Sequence, residues 1–230
     1  MMLYGNQSRS KEIIELGTEL KKVAQGKNDI DGNISNIYRR NALALGELGL
    51  DDASMNDFRI ALKFIQTIEN KDKRLYYLSL CYENMTVYYE NKPFASKFGD
   101  SLLYFRKKSL SAAKQIRDNN GTVSNDLKYD QIAFDNMAIG VSYLSKEDTK
   151  ANIASAEKYL LEGLKIHENE EYNIPSTNKI TMLNQVSWLY SEKQEYQKSI
   201  DYALRALELQ KKIVILTVEW NLLNFLLILI

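Results

Sequence analysis

The chain has 230 residues, and its 30 Lys+Arg balance 30 Asp+Glu to a formal net charge of zero. That balance argues against bulk nucleic-acid binding, which needs surplus cation to displace counterions from phosphate. A single cysteine, Cys81, and a single histidine, His167, exclude an internal disulfide framework and leave no Cys/His set for zinc, while two prolines and ten glycines suit a helix-rich chain.

In chain order, Met1–Lys11 is polar and lacks the apolar core of a signal peptide, so a cytoplasmic start is expected. Ser8–Gln25 reads as an amphipathic helix, with Ile13, Leu16, Leu20, Val23 and Ala24 at helical spacing and Gly26 as a stop. Asn33–Leu48 and Asp52–Glu69 read as the next two helices. Arg74–Glu90 and Gly99–Ile116 form a pair separated by Asn91-Lys92-Pro93. Asp118–Asp126, rich in Asn, Gly and Ser, is a loop. Lys128–Leu144 and Asn152–His167 follow as a pair around the charged Ser145–Lys150. After the Glu168–Asn178 loop, Asn178–Ser191 and Tyr196–Lys211 make the last clear pair. Pro175 suits the first turn of that pair, since its fixed φ and missing N–H cost nothing there. The expectation is nine helices, antiparallel in succession.

One spacing recurs. Tyr89, Tyr143 and Tyr190 each follow a small residue by three positions: Thr86, Gly140 and Ser187. Downstream come an aromatic, a small residue four on, and Leu: Phe105-Ser109-Leu110, Tyr159-Gly163-Leu164, Tyr202-Ala206-Leu207. In the first two copies every element is offset by the same 54 residues. Such register means one helix pair used repeatedly, with small residues admitting close backbone approach and large ones filling the holes. Gly163 within a helix costs about 1 kcal/mol relative to Ala, a cost tolerated where a neighbouring helix lies too close for a methyl group.

The segment Leu183, Val186, Ser187, Tyr190, Tyr196, Ser199, Ile200, Ala206, Leu207 resembles the tetratricopeptide repeat, with Leu183 in the slot that family gives to Trp. Earlier copies use Asn136, Ile139, Gly140, Tyr143, Ala156, Leu160 and Gly163; then Tyr82, Met85, Thr86, Tyr89, Phe105 and Ser109. A worn first copy uses Tyr38, Ala42, Leu45, Phe58, Ala61 and Leu62. The resemblance implies an all-α fold, stacked antiparallel helix pairs forming a right-handed superhelix over residues 8–212. Its repeats fall near 33–69, 74–116, 128–167 and 178–212, preceded by the helix at 8–25. Extra residues near 92–98 and 145–151 depart from the 34-residue unit and bear on loop geometry.

In that family the first helix of each pair lines the concave face. The resemblance therefore places Asn184, Trp188 and Glu192 in the groove from the last copy, Met137 and Val141 from the third, and Glu83, Val87 and Glu90 from the second. Trp188 is the candidate anchor for a protein or peptide partner. Chaperone-binding members clamp a carboxylate with Lys, Arg and Asn on this surface; only Asn184 is of that type here, and that specificity is not carried over.

Signals for chemistry are sparse. His167-Glu168 begins like a zinc-protease helix but lacks a second histidine, so a solvated helix end is expected. Cys81 lies among apolar neighbours and reads as a buried thiol. There is no phosphate loop, paired-carboxylate motif or nucleophile elbow. The glutamates of Glu168–Glu171 read as loop solvation. With a cytoplasmic start expected, the sequons at Asn33, Asn84 and Asn120 are expected to carry no meaning. No catalysis, cofactor, metal or direct nucleic-acid binding is expected.

Residues 213–230 hold 14 apolar residues among 18, after Lys211-Lys212. Three readings stand: a helix capping the array, with Thr217, Asn221 and Asn224 on one face; a membrane anchor, made marginal by Glu219 and the two asparagines; or a chain cut or shifted in frame. Self-association is a further expectation. Two functions follow: a non-catalytic module binding a peptide or partner protein, or the sensory region of a membrane-linked bacterial transcription regulator or histidine kinase without its output domain.

Overall fold

A computed structural model describes the backbone of residues 2–92, 97, 99–146 and 149–228, and the side chains within 9–215 of that range. Among the described residues there are nine α-helices and no strand: α1 Met2–Ala24, α2 Asn33–Glu47, α3 Asp51–Gln66, α4 Lys71–Glu90, α5 Gly99–Lys114, α6 Asn125–Leu144, α7 Lys150–Glu168, α8 Ser176–Glu192 and α9 Tyr196–Ile228. Each expected helix is found, with ends displaced by a few residues. The first begins at Met2 rather than Ser8. Pro175 sits just outside α8, not in its first turn, with extended ψ of 132°. A 3-10 turn, Glu170–Tyr172, occupies the expected loop. Consecutive helices pack pairwise: α2 on α3, α4 on α5 and α8 on α9, with α1 on α2, α2 and α3 on α4, and α7 on α8.

The helices divide into two compact units, residues 1–135 and 136–230, with the division inside α6. The first has its core around Ala42, Phe58, Ala61, Ile65, Ile68, Cys81, Met85 and Tyr88. The second is built on Ala156, Leu160, Leu164, Met182, Leu183, Val186, Leu189, Tyr190 and Ala206.

The sequence repeat has a direct structural meaning. Its two aromatics stack across each helix pair: Tyr89 on Phe105 at 5.8 Å and 14°, Tyr143 on Tyr159 at 6.1 Å and 13°, Tyr190 on Tyr202 at 5.4 Å and 2°. These separations are those of offset-stacked rings, worth about 0.5–1.5 kcal/mol beyond area burial. The accompanying small residues sit where the helices touch. A Cβ on Gly140 would meet Leu160 Cγ at 2.6 Å and the Ala156 carbonyl at 3.2 Å. Ser187 Oγ donates to the Ser199 carbonyl at 2.8 Å, and Ser54 Oγ to the Ala42 carbonyl at 2.7 Å. Gly163 and Ala206 are buried. In the first pair Tyr38 of α2 stacks on Phe64 of α3 at 5.4 Å and 24°, a ring outside the repeat slots. Phe58 packs edge-on against Tyr88 at 6.1 Å, and Tyr88 lies over Gly46, where a Cβ would meet Tyr88 Cδ2 at 2.7 Å.

Polar groups pin the first unit. Asp29, 1% exposed, accepts from the Ile34 and Ser35 backbone N–H groups at 3.0 and 2.7 Å, which caps α2 from outside its own N-cap, Gly32. Asn70 caps α4 by accepting from Lys73 N at 2.9 Å. Asp72, fully buried, receives the Arg117 backbone N–H at 2.8 Å and its guanidinium at 3.0 and 2.6 Å. The Arg117 hydrogen bond holds its carboxyl below the usual range.

Asp135 behaves in the opposite way. It is 1% exposed, and burial pushes its carboxyl well above the ordinary value. Hydrogen-bond counting agrees. Ser109 Oγ lies 3.0 Å from the Ser79 carbonyl of α4 and 2.8 Å from Asp135 Oδ2 of α6, yet a hydroxyl has one proton to give. A protonated Asp135 donates to Ser109, and Ser109 then donates to Ser79, so every group is satisfied. Gln131 Nε2 completes the shell at 3.3 Å from Asp135 Oδ1.

Residues 213–228 continue α9 without a break. The side chains from 216 onward lie outside the described residues, and with them the capping and membrane readings of that segment. Among the described residues no helix is long and apolar enough to cross a membrane.

Two predictions test this packing. Gly163→Leu should destabilise by about 1–3 kcal/mol through overpacking, whereas Lys165→Leu, at an exposed site, should change the urea midpoint little; equal midpoints would show that the assigned register is wrong. Asp135 raises a pH question with a definite sign. Because its folded-state pKa is raised, its contribution is fully present below the unfolded value of about 3.9 and declines as pH rises towards the folded value. Asp135→Asn keeps a donor for Ser109 without the charge. It should match or exceed wild-type stability at pH 7 and remove this decline, while Asp135→Ala should lose about 1–3 kcal/mol by stranding its partners. Urea titrations from pH 4 to 8 give the comparison.

Candidate functional site

The second unit holds five of the sequence-predicted surface residues. On α8, Asn184, Trp188 and Glu192 recur every four residues and all three are exposed, forming one stripe along the helix. Trp188 is 36% exposed, and its indole Nε1 donates to Glu192 Oε1 at 2.7 Å. The i, i+4 bond fixes the ring and leaves its face to solvent. Opposite the stripe, α8 turns Met182, Leu183, Val186, Leu189 and Tyr190 into the core. Met137 and Val141 of α6 are half-buried and pack against that same core, so they serve packing at least as much as surface.

The first unit holds the other three. Val87 is half-buried, and Glu90 is exposed and ion-paired with Arg106 Nη2. Glu83 is half-buried; burial raises its carboxyl, opposed by a hydrogen bond from Gln131 and by the nearby Arg39. Glu83 therefore enters a polar network and Glu90 an ion pair, while Val87 is the apolar member of the three.

That network contains a residue the sequence reading missed. Arg39 of α2 is half-buried; its Nη1 donates to Asn84 Oδ1, and its Nη2 to Asn36 Oδ1 at 2.7 Å. Burial lowers its pKa, and its Nε meets no acceptor among the described residues. The available signal was the Asn36/Arg39 pair at i, i+3 beside the apolar run Ala42–Leu45.

Other candidates resolve plainly. Cys81 is fully buried, and burial pushes its thiol up to about 12, so it is no nucleophile at neutral pH. His167 corrects an expectation: at 9% exposure it is buried in the last turn of α7, not a solvated end, because that turn packs into the unit. Among the described residues no group of three His, Cys, Asp or Glu side chains is placed to hold a metal ion. A shallow depression of about 300 Å³ lies between α8 and α9, lined by Lys179, Leu183, Arg205, Glu208, Leu209 and Lys212. Lys179 and Leu183 put it on the far side of α8 from Trp188, nine and five residues away.

No protein-family model matches the chain, and no curated protein matches it. Among solved structures the chain is similar to the crystal structure of BtubC (BKLC) from P. vanneervenii, at 12% identity and a TM-score of 0.48, over 93% of this chain and 92% of that one.

Proposed function

We propose that the chain is a non-catalytic protein-binding module of tetratricopeptide-repeat type, taking a peptide or a partner helix on the exposed side of its first-of-pair helices. Support for the repeat type comes from the stacked ring pair that recurs in three successive helix pairs at matched sequence slots. Support for binding rests on one observation above the rest: Trp188 stays at the surface of α8, with its indole N–H held by Glu192 and Asn184 beside it on the same stripe. A tryptophan so fixed offers a large apolar face at little further entropic cost, the usual property of an interface anchor. The flanking amide and carboxylate suit a partner segment with an apolar residue next to hydrogen-bond donors.

The test is affinity capture with the full chain as bait, followed by titration of the captured partner. Trp188→Ala should weaken binding by about 2 kcal/mol, roughly 30-fold, with little change in the unfolding midpoint. If the midpoint falls while affinity holds, Trp188 is a packing residue and the proposal fails.

A further inference from the structure

Helix α9 carries two apolar faces. One, formed by Ser199, Tyr202, Ala206, Leu209 and Ile213, is buried or half-buried at alternating spacings of three and four and belongs to the α8 contact. The other is bare. Tyr196, Ile200, Leu204, Leu207, Val214 and Ile215 are each 44–61% exposed along about 30 Å of helix.

The preceding pair shows what this second face is built for. An offset of 43 residues carries Tyr159, Gly163 and Leu164 of α7 onto Tyr202, Ala206 and Leu207 of α9. The same offset carries Ile153 and Leu161 onto Tyr196 and Leu204. On α7, Leu164 is 4% exposed, and Ile153 and Leu161 pack into the core that α8 completes. The matching face of α9 therefore has the chemistry of a helix-packing surface, and among the described residues no helix of the second unit covers it.

We infer that this face pairs with the same face of a second copy of the chain, antiparallel, about a two-fold axis level with residue 206. Three observations favour a second copy. Burying the six exposed side chains on both partners removes on the order of 1,000 Å² from water, the size a specific interface needs. The stripe from 196 to 215 is centred at the proposed axis, so a self-complementary antiparallel pairing covers it from end to end. Charges also match across the axis: Asp201, at the edge of the stripe, and Lys211, within it between Leu207 and Val214, are both exposed and equidistant from residue 206, so each Asp201 is level with the other copy's Lys211 and the ion pair forms twice.

Sedimentation velocity on the full chain, with and without neutral phospholipid vesicles, tests this. A species of twice the 26.6 kDa monomer mass is expected at tens of micromolar without lipid. Leu204→Glu/Leu207→Glu should raise the dissociation constant by about 30-fold or more while helical circular dichroism is unchanged. Asp201→Lys and Lys211→Asp should each weaken the dimer, and the double exchange should restore it. Four results would overturn the inference: a monomer throughout, an assembly indifferent to Leu204→Glu/Leu207→Glu, recovery of the protein only on vesicles, or a double charge exchange that rescues nothing.

Discussion

Interhelical distance within the last three pairs is set by one recurring arrangement: two stacked rings, with a small residue wherever the backbones must come close. Tyr143 on Tyr159 illustrates it. The rings need their helices near enough to overlap, and Gly140 allows this because Leu160 Cγ already occupies the space a Cβ would take. Ser187 meets the same requirement differently, turning its hydroxyl onto the Ser199 carbonyl of the facing helix. Once that distance is fixed, each pair has used one apolar face of its second helix and keeps another. Stacking of the next helix buries the leftover face, as α8 does for α7, and this need is what makes such units repeat.

Buried carboxylates in the first unit show three solutions to one cost. Asp29 is solvated by backbone N–H groups at a helix start, Asp72 by a guanidinium and a backbone N–H, and Asp135 by a proton. At both Asp29 and Asp72, donors converge on the two oxygens, and at Asp72 the Arg117 hydrogen bond holds the carboxyl below the usual range. Asp135 has a poorer supply: one hydroxyl with another acceptor to satisfy, a distant amide and the acidic Glu83, against which the Arg106 guanidinium is the weakest opposing influence and burial the largest. Neutrality is the cheaper state, and it joins α4, α5 and α6 through a single proton chain.

Helix identity and pairing were legible because they follow from periodicity and from the 54-residue register, both properties of residue type alone. The register also located Gly140 and Gly163, and the recurring spacing Tyr190, as packing positions before any coordinates. What stayed hidden depends on neighbours distant in sequence. Nothing local marks Asp135 as protonated, since Ser79 and Ser109 come from other helices. Arg39 escaped notice because its partner Asn84 lies 45 residues away, and His167 looked terminal although the end of α7 is folded into the unit. At the surface, Trp188 was legible as a first-of-pair residue. Met137 and Val141 share that placement but are largely claimed by packing, because helix face from spacing is accurate only to about a third of a turn.

The two surfaces assigned to the second unit share no residue: Asn184, Trp188 and Glu192 lie on α8, whereas the bare stripe lies on α9. Their separation has a physical consequence. A surface that binds weakly as a monomer gains strength when two copies are held together, since a bivalent partner meets the second site at an effective concentration set by geometry, commonly worth 10²- to 10⁴-fold. On the proposed reading, the leftover face of the last helix pair, a liability in water for an isolated array, would set the valency of the proposed binding face. The two roles remain chemically distinct. The α9 stripe is mostly aliphatic, with Tyr196 at one end and Lys211 set within it opposite Asp201 of the other copy, suited to an identical helix. The α8 stripe presents a single ring between an amide and a carboxylate, suited to an anchor residue from a different chain.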